Sequence, residues 1–173
     1  MTLKFPSVVA LLLGLFLLLV VGSSAHAAPP FLTVDGAIRS GEPVGDGRLR
    51  RVFSEAEVLA MPTESITTLT DWRPRTDYVG PSLASVLKAA GAVVDERTRV
   101  QLTALNDYSV TIPGSDLQRY RPVLAHTSGG KRLARRDFGP LWLMYPRDDH
   151  EELRNNASAA GKMIWQVTRI TVH

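Results

Sequence analysis

The feature that most constrains this chain is the stretch Phe138-Gly139-Pro140-Leu141-Trp142-Leu143-Met144-Tyr145-Pro146. It is the most apolar run outside the N-terminal leader, and prolines punctuate its ends. A short, bulky run bounded in this way reads as a buried strand, because it is too brief for a stable helix. Leu141, Leu143 and Tyr145 alternate with Trp142 and Met144, and both sets are apolar. A strand with two apolar faces needs cover on both, so the spacing predicts a central strand around which the other elements pack.

The N-terminus carries Lys4, an apolar run from Val8 to Val21, and then Ala25-His26-Ala27. The run is shorter than the roughly 20 residues that cross a bilayer as a helix. Small residues at 25 and 27 suit a signal peptidase. Residues 1–27 are therefore expected to be a secretory signal removed after Ala27, which makes the mature chain periplasmic or secreted. An uncleaved leader would instead attach it to a membrane. Residues 28–173 suffice for one domain with its own core.

A formal net charge of +3 does not point to a polyanion binder, so no nucleic-acid partner is expected. The sequence contains no cysteine. That excludes disulfides, a thiolate metal site, a cysteine nucleophile and a lipid anchor on cysteine.

Phe31 to Val34 reads as a first strand ending at Asp35-Gly36, residues 40–47 as a loop, and Arg48 to Phe53 as a short strand. Ser54 and Glu57 match a capping box that opens a brief helix, which Pro62 ends by forcing Met61 out of helical geometry. Ser65 to Thr70 reads as a strand and 71–78 as a polar, aromatic loop. Pro81-Ser82 opens a helix with Leu83, Val86, Leu87 and Ala90 on one face, closed by Gly91. Residues 99–112 read as a hairpin turning at Asn106-Asp107, and Ser115-Asp116 as the cap of one helical turn. Val123 to Ala125 and Leu133 flank Ser128-Gly129-Gly130 as a second hairpin. Residues 147–162 are polar with an Ala-rich patch, and Met163 to Val172 is a closing strand. Short strands and short helices without regular β-α alternation predict an α+β fold.

Few residues offer chemistry. His126, His150 and His173 have no partner at metal-ligand spacing. Asp148-Asp149-His150-Glu151-Glu152 has the residue types for a hard cation but reads better as a solvated acidic loop. No serine lies in a nucleophile-elbow sequence, and phosphate-loop and dinucleotide fingerprints are missing. No catalytic or metal-ligating residue is assigned. Lys131, Arg132, Arg135 and Arg136 form the one sharp basic cluster, with the donors to clamp an anion.

Several ordered segments carry a resemblance: Phe31 to Gly36, the capped helix ending at Met61-Pro62, the strand to Thr70, and Gly80-Pro81-Ser82-Leu83 with its helix. Asn106-Asp107-Tyr108-Ser109, Ile112-Pro113, Leu124-Ala125, Gly130-Lys131, Gly139-Pro140-Leu141 and Trp165 to Val172 complete it. In this order the chain resembles the molybdopterin-binding oxidoreductase domain of the sulfite oxidase type. The resemblance implies a single α+β domain of mixed sheets, with a molybdopterin cofactor in a cleft in catalytic members. There, a cysteine after the strand near Thr70 binds the metal, and a His-Gly-Phe-Pro-x-Arg segment holds the cofactor. This sequence has Asp71-Trp72 at the first place, and Asp137 and Trp142 where the histidine and arginine would be. The leader also lacks the twin-arginine pair expected of a protein exported already folded around a cofactor.

These departures predict an exported domain that has lost the metal cofactor and binds a small anionic ligand or a periplasmic or membrane protein. The expected cleft comprises Asp71, Trp72, Arg73, Asn106, Tyr108, Arg135, Arg136, Asp137 and Trp142. The alternative is a periplasmic molybdopterin-dependent oxidoreductase that holds its metal without cysteine.

Overall fold

A computed structural model describes residues 30–173; the leader and its cleavage point after Ala27 lie outside the described residues. Strand β1 (Leu32–Gly36) is followed by β2 (Glu42–Pro43) and β3 (Leu49–Phe53). Ser54 caps α1 (Glu55–Ala60): its hydroxyl accepts from the Glu57 amide, and the Glu57 carboxylate accepts from the Ser54 amide. Met61 is extended before Pro62, and β4 (Thr63–Thr68) begins. β5 (Thr76–Pro81) pairs with β4, and Ser82 caps α2 (Leu83–Ala89). β6 (Arg99–Ala104) and β7 (Ser109–Pro113) form the expected hairpin, followed by the short α3 (Ser115–Arg119). Then come β8 (Val123–Ala125), β9 (Thr127–Ser128), β10 (Lys131–Arg132), β11 (Trp142–Met144), α4 (Ala157–Lys162) and β12 (Val167–Val172).

These elements make the expected α+β fold of mixed sheets and short helices. The largest sheet runs β2-β3-β1-β12-β6-β7, with β1 and β12 parallel and its other pairs antiparallel. A second runs β10-β9-β5-β4, and a third pairs β11 with β8. No helix among the described residues is long and apolar enough to cross a membrane.

Several expectations are corrected. Leu141 to Pro146 is buried throughout, but its strand is three residues long and pairs with β8 in a two-stranded sheet, with a single bridge from Trp142 to Trp165 on its other side. Its cover comes from side chains and from the segment before β12, since Leu143 N–H donates to the Ile164 carbonyl (2.9 Å). The loop expected over 71–78 ends early, because Thr76 begins β5 and pairs with Thr68. The second hairpin is β9–β10, which leaves Val123 to Ala125 free to pair with β11. The polar stretch 147–162 contains α4, capped by the Asn156 side chain, which accepts from the Ser158 and Ala159 amides. The closing strand starts at Val167 rather than Met163, because Gln166 takes a left-handed backbone (φ 57°).

The parallel β1–β12 contact requires a glycine. Gly36 has φ 88°, and a Cβ there would collide with the Val172 backbone. Gly47 has a similar φ of 78° with open space around it. Gly36→Ala is expected to lower stability by about 3 kcal/mol or more, through collision added to backbone strain. Gly47→Ala should lose only about 1–2 kcal/mol, from the backbone alone. Urea unfolding measures both, and equal losses would refute the role given to the β1–β12 approach.

The capping box predicts a pH dependence. The Ser54 amide, then the Ser54 hydroxyl and Arg51, hold the Glu57 carboxyl at about 2 instead of 4.5. A carboxylate depressed by folding adds stability above its unfolded pKa and loses it as pH falls toward the folded value. Thermal unfolding of Glu57→Gln should therefore depend less on pH between 4.5 and 2 than that of the parent. Parallel pH profiles would count against the box.

Candidate functional site

The loop after β4 is built on Thr70. Its hydroxyl accepts from the Trp72 and Arg73 amides (3.2 and 2.8 Å), and its own amide donates to the Arg73 carbonyl (3.0 Å). This tight turn holds Asp71 and Trp72 outward, and Trp72 is 46% exposed. Asp71 accepts from Arg147 (3.0 Å), whose own side chain is buried. Arg73 donates through one nitrogen to both Asp137 oxygens (2.6 Å each) and lies 5.0 Å from the Phe138 ring centroid.

Beneath the turn, Trp142 sits at the centre of an aromatic cluster. Phe138 stacks on it at 4.3 Å with planes 10° apart. Tyr78 meets it edge-on at 5.4 Å, and Trp72 and Trp165 lie at 6.3 and 6.4 Å. Trp142 is fully buried, and its one polar atom, Nε1, donates to the Met163 carbonyl (2.9 Å). Burial raises the Tyr78 phenol above its ordinary pKa, so it stays neutral.

A cavity of about 280 Å³ opens beside this cluster. Trp72 walls it on one side, Asn106 and Tyr108 from the β6–β7 turn on another, and Met163 to Trp165 on a third. Gly161 of α4 lines it as well. The turn is held in place by Leu105 N–H, which donates to the Gln166 carbonyl (3.0 Å). The end of α4 is fixed by Lys162, whose ammonium meets the buried Asp116 carboxylate (2.8 Å), which also accepts from Tyr145 (2.8 Å). Burial and then the Asp116 charge hold the Tyr145 phenol well above its ordinary pKa.

The structure thus brings Trp72, Asn106 and Tyr108 of the expected cleft around one cavity, with Trp142 supporting it from below. Asp71, Arg73 and Asp137 lie on the adjoining surface, paired as described. Arg135 lines a different groove with Phe53, Glu55 and Glu57, and Arg136 is exposed with no ion pair among the described residues. Arg132 donates to Glu55 (2.6 Å), which lines the same groove as Arg135, so these arginines face carboxylates and the cluster does not form one anion clamp. The acidic loop is likewise engaged: Asp148 pairs with Arg75 (3.0 Å) and Glu152 with Arg119 (2.5 Å). No group of three or more potential ligands able to hold a metal ion occurs among the described residues. His126 is buried, with its Nδ1 at 2.8 Å from the Thr127 hydroxyl, and burial lowers its pKa.

Sequence patterns missed Gly161, Met163, Ile164 and Trp165. They fall in a stretch read as polar and in a strand read as continuous. The Asn156 cap ahead of the Ala-rich patch was the available signal for the helix that carries Gly161.

No family model matches the chain, and no curated protein matches it in sequence. Among solved structures it is similar to the sulfane dehydrogenase SoxCD from Paracoccus pantotrophus, with a TM-score of 0.58 and 17% identity. The match covers 82% of this chain and 37% of that one, so this chain spans well under half of that protein's length. The likeness is one of fold, and it is to an oxidoreductase.

Its side chains do not fit a thiolate-held molybdenum centre. The sequence offers no soft sulfur donor of that kind, and such a centre depends on one. At the three positions singled out by the resemblance, Asp71 is taken by Arg147, Asp137 by Arg73, and Trp142 is closed into the core.

Trp142→Phe would leave the Met163 carbonyl without its donor and open a void in the cluster. A loss of about 2–4 kcal/mol in urea unfolding is expected. The partly exposed Trp72→Phe should lose less than about 1 kcal/mol. Equal losses would show that Trp142 does not anchor the cluster.

Proposed function

We propose that this chain is an exported binding module on an oxidoreductase fold, working without a metal cofactor, whose aromatic-walled cavity holds a small molecule. The observation that carries the reading is the conjunction of an open cavity between Trp72, Tyr108 and Trp165 with neighbouring charged groups that are already paired. Ligand pockets are typically concave and mostly apolar, with a few placed polar groups, and this cavity lies near the lower end of their usual size. The anionic ligand expected from the basic cluster is replaced in this reading, because Arg135 and Arg136 do not line the cavity.

A fragment screen on the full-length chain, followed by thermal shift and tryptophan emission, tests the module. Trp72→Ala and Tyr108→Ala are each expected to weaken any cavity ligand by about tenfold, consistent with the loss of an aromatic contact. Ligands indifferent to both changes would place binding elsewhere.

The fold likeness to a sulfane dehydrogenase favours a second reading, a redox enzyme that holds molybdenum without cysteine. Protein purified from its native host is expected to carry neither molybdenum nor pterin fluorescence. Stoichiometric amounts of either would overturn the cofactor-free reading.

A further inference from the structure

We propose that the cavity selects an uncharged planar ring with a hydrogen-bond acceptor on its edge, and that Gly161 is the residue that opens its floor to that ring. The inference rests on the binding-module reading and names the ligand class for the same cavity.

Charge is decided by the lining. None of the residues around the cavity carries a formal charge. The nearby cations are committed, Arg73 to Asp137 and Lys162 to Asp116. An ionic ligand entering here would give up hydration without gaining a counter-charge, which disfavours it over a neutral one of the same shape.

Shape is decided by the rings. Trp72 and Trp165 are in edge-to-face contact, their ring centroids 4.6 Å apart and their planes at 74°, and so form a corner rather than a slot. A flat ring can stack against one and meet the other edge to face, both favourable arrangements for aromatic quadrupoles. A saturated ring of equal size gains the same burial without that complementarity. The polar contact is supplied by Asn106. Its side-chain oxygen accepts from the Tyr108 amide (3.3 Å), while its nitrogen has no partner among the described residues. That nitrogen is a donor suited to an acceptor on the rim of the ring.

Gly161 supplies an independent observation. Glycine inside a helix costs about 1 kcal/mol relative to alanine. Here neither of the usual reasons applies: the backbone at 161 is not left-handed, and a Cβ would meet nothing within 4 Å. The residues on either side are fixed, Ala160 by burial and Lys162 by Asp116. Gly161 lines the cavity, and open space stands where its side chain would be.

The test uses the full-length chain with three probes: benzamide, cyclohexanecarboxamide and benzoate. Binding is followed by saturation-transfer NMR and tryptophan emission. Benzamide is expected to bind saturably and about tenfold more tightly than either comparison compound. Gly161→Leu should abolish that binding while its unfolding midpoint stays level or rises, since leucine is the better helix former. Gly161→Ala, the smaller change, should weaken benzamide severalfold and guards against a misfolded leucine variant. Equal binding of cyclohexanecarboxamide or benzoate, still lost on Gly161→Leu, would overturn the planar, uncharged class and leave the binding module standing. Failure of all three probes to bind in a Gly161-dependent way overturns the inference. The module itself falls only if the fragment screen also yields no ligand sensitive to Trp72→Ala.

Discussion

The hydrogen bond from Trp142 Nε1 to the Met163 carbonyl, made inside a stack of rings, is the contact on which the rest of this molecule depends. It joins β11 to the segment that leaves α4, and Leu143 reinforces the join through the Ile164 carbonyl. That segment continues into β12, the middle of the largest sheet. One indole thus couples the small sheet to the large one, and a buried N–H of this kind needs its acceptor, since an unmet donor costs about 1–3 kcal/mol. Met163, Ile164 and Trp165 also form a cavity wall, so core packing and the shape of the site are set by the same contact.

The charged residues show why a sequence cluster need not become a site. Lys131, Arg132, Arg135 and Arg136 are close in sequence, but the short β10 ends at Arg132 and the chain turns away before Arg135. Arg132 meets Glu55 of α1, and Arg135 faces the groove that Glu55 and Glu57 line. Arg73 is held by Asp137, across 64 residues of sequence, and buried Arg147 by Asp71. These pairings are non-local, and nothing in the local pattern of the basic run specifies them. Arg147 illustrates the difficulty: beside Asp148 and Asp149 it reads as part of a solvated loop, yet its side chain is only 7% exposed.

Local signals were legible where the responsible interaction is local. The Ser54–Glu57 box, the Ser82 cap and the β6–β7 hairpin follow from residues a few positions apart. The burial of Leu141 to Pro146 followed from composition, but its partner did not, because choosing β8 over a central place in a large sheet is a tertiary outcome. β5 begins with the polar Thr76 and Asp77, which hid its start in the preceding loop. At the site, Trp72, Asn106 and Tyr108 were visible as aromatic and amide residues beside turns. Gly161 and Trp165 were not, because their significance comes from facing those residues across the fold.

Two strained residues explain how the rings keep their positions. Phe138 (φ 59°) and Gln166 (φ 57°) both occupy the left-handed region, at a cost of about 1–2 kcal/mol each. They brace one another: the Gln166 amide donates to the Phe138 carbonyl (3.2 Å), and the Gln166 side chain donates to the Arg135 carbonyl (2.6 Å). The first twist delivers Phe138 flat onto Trp142, and the second separates Trp165 from the start of β12 at Val167. An extended backbone at Gln166 would carry β12 back through Trp165 and alter the side-chain alternation that sets which way the indole faces. Strain of this kind persists where surrounding contacts over-determine it, and it concentrates at functional sites. Here both strained residues border the aromatic cluster behind the cavity, so the fold bears their cost where it fixes the cavity walls. In the proposed binding module, a wall fixed in advance would leave less ordering to be done on binding, and so favour selective hold on a small, neutral ligand with few polar contacts.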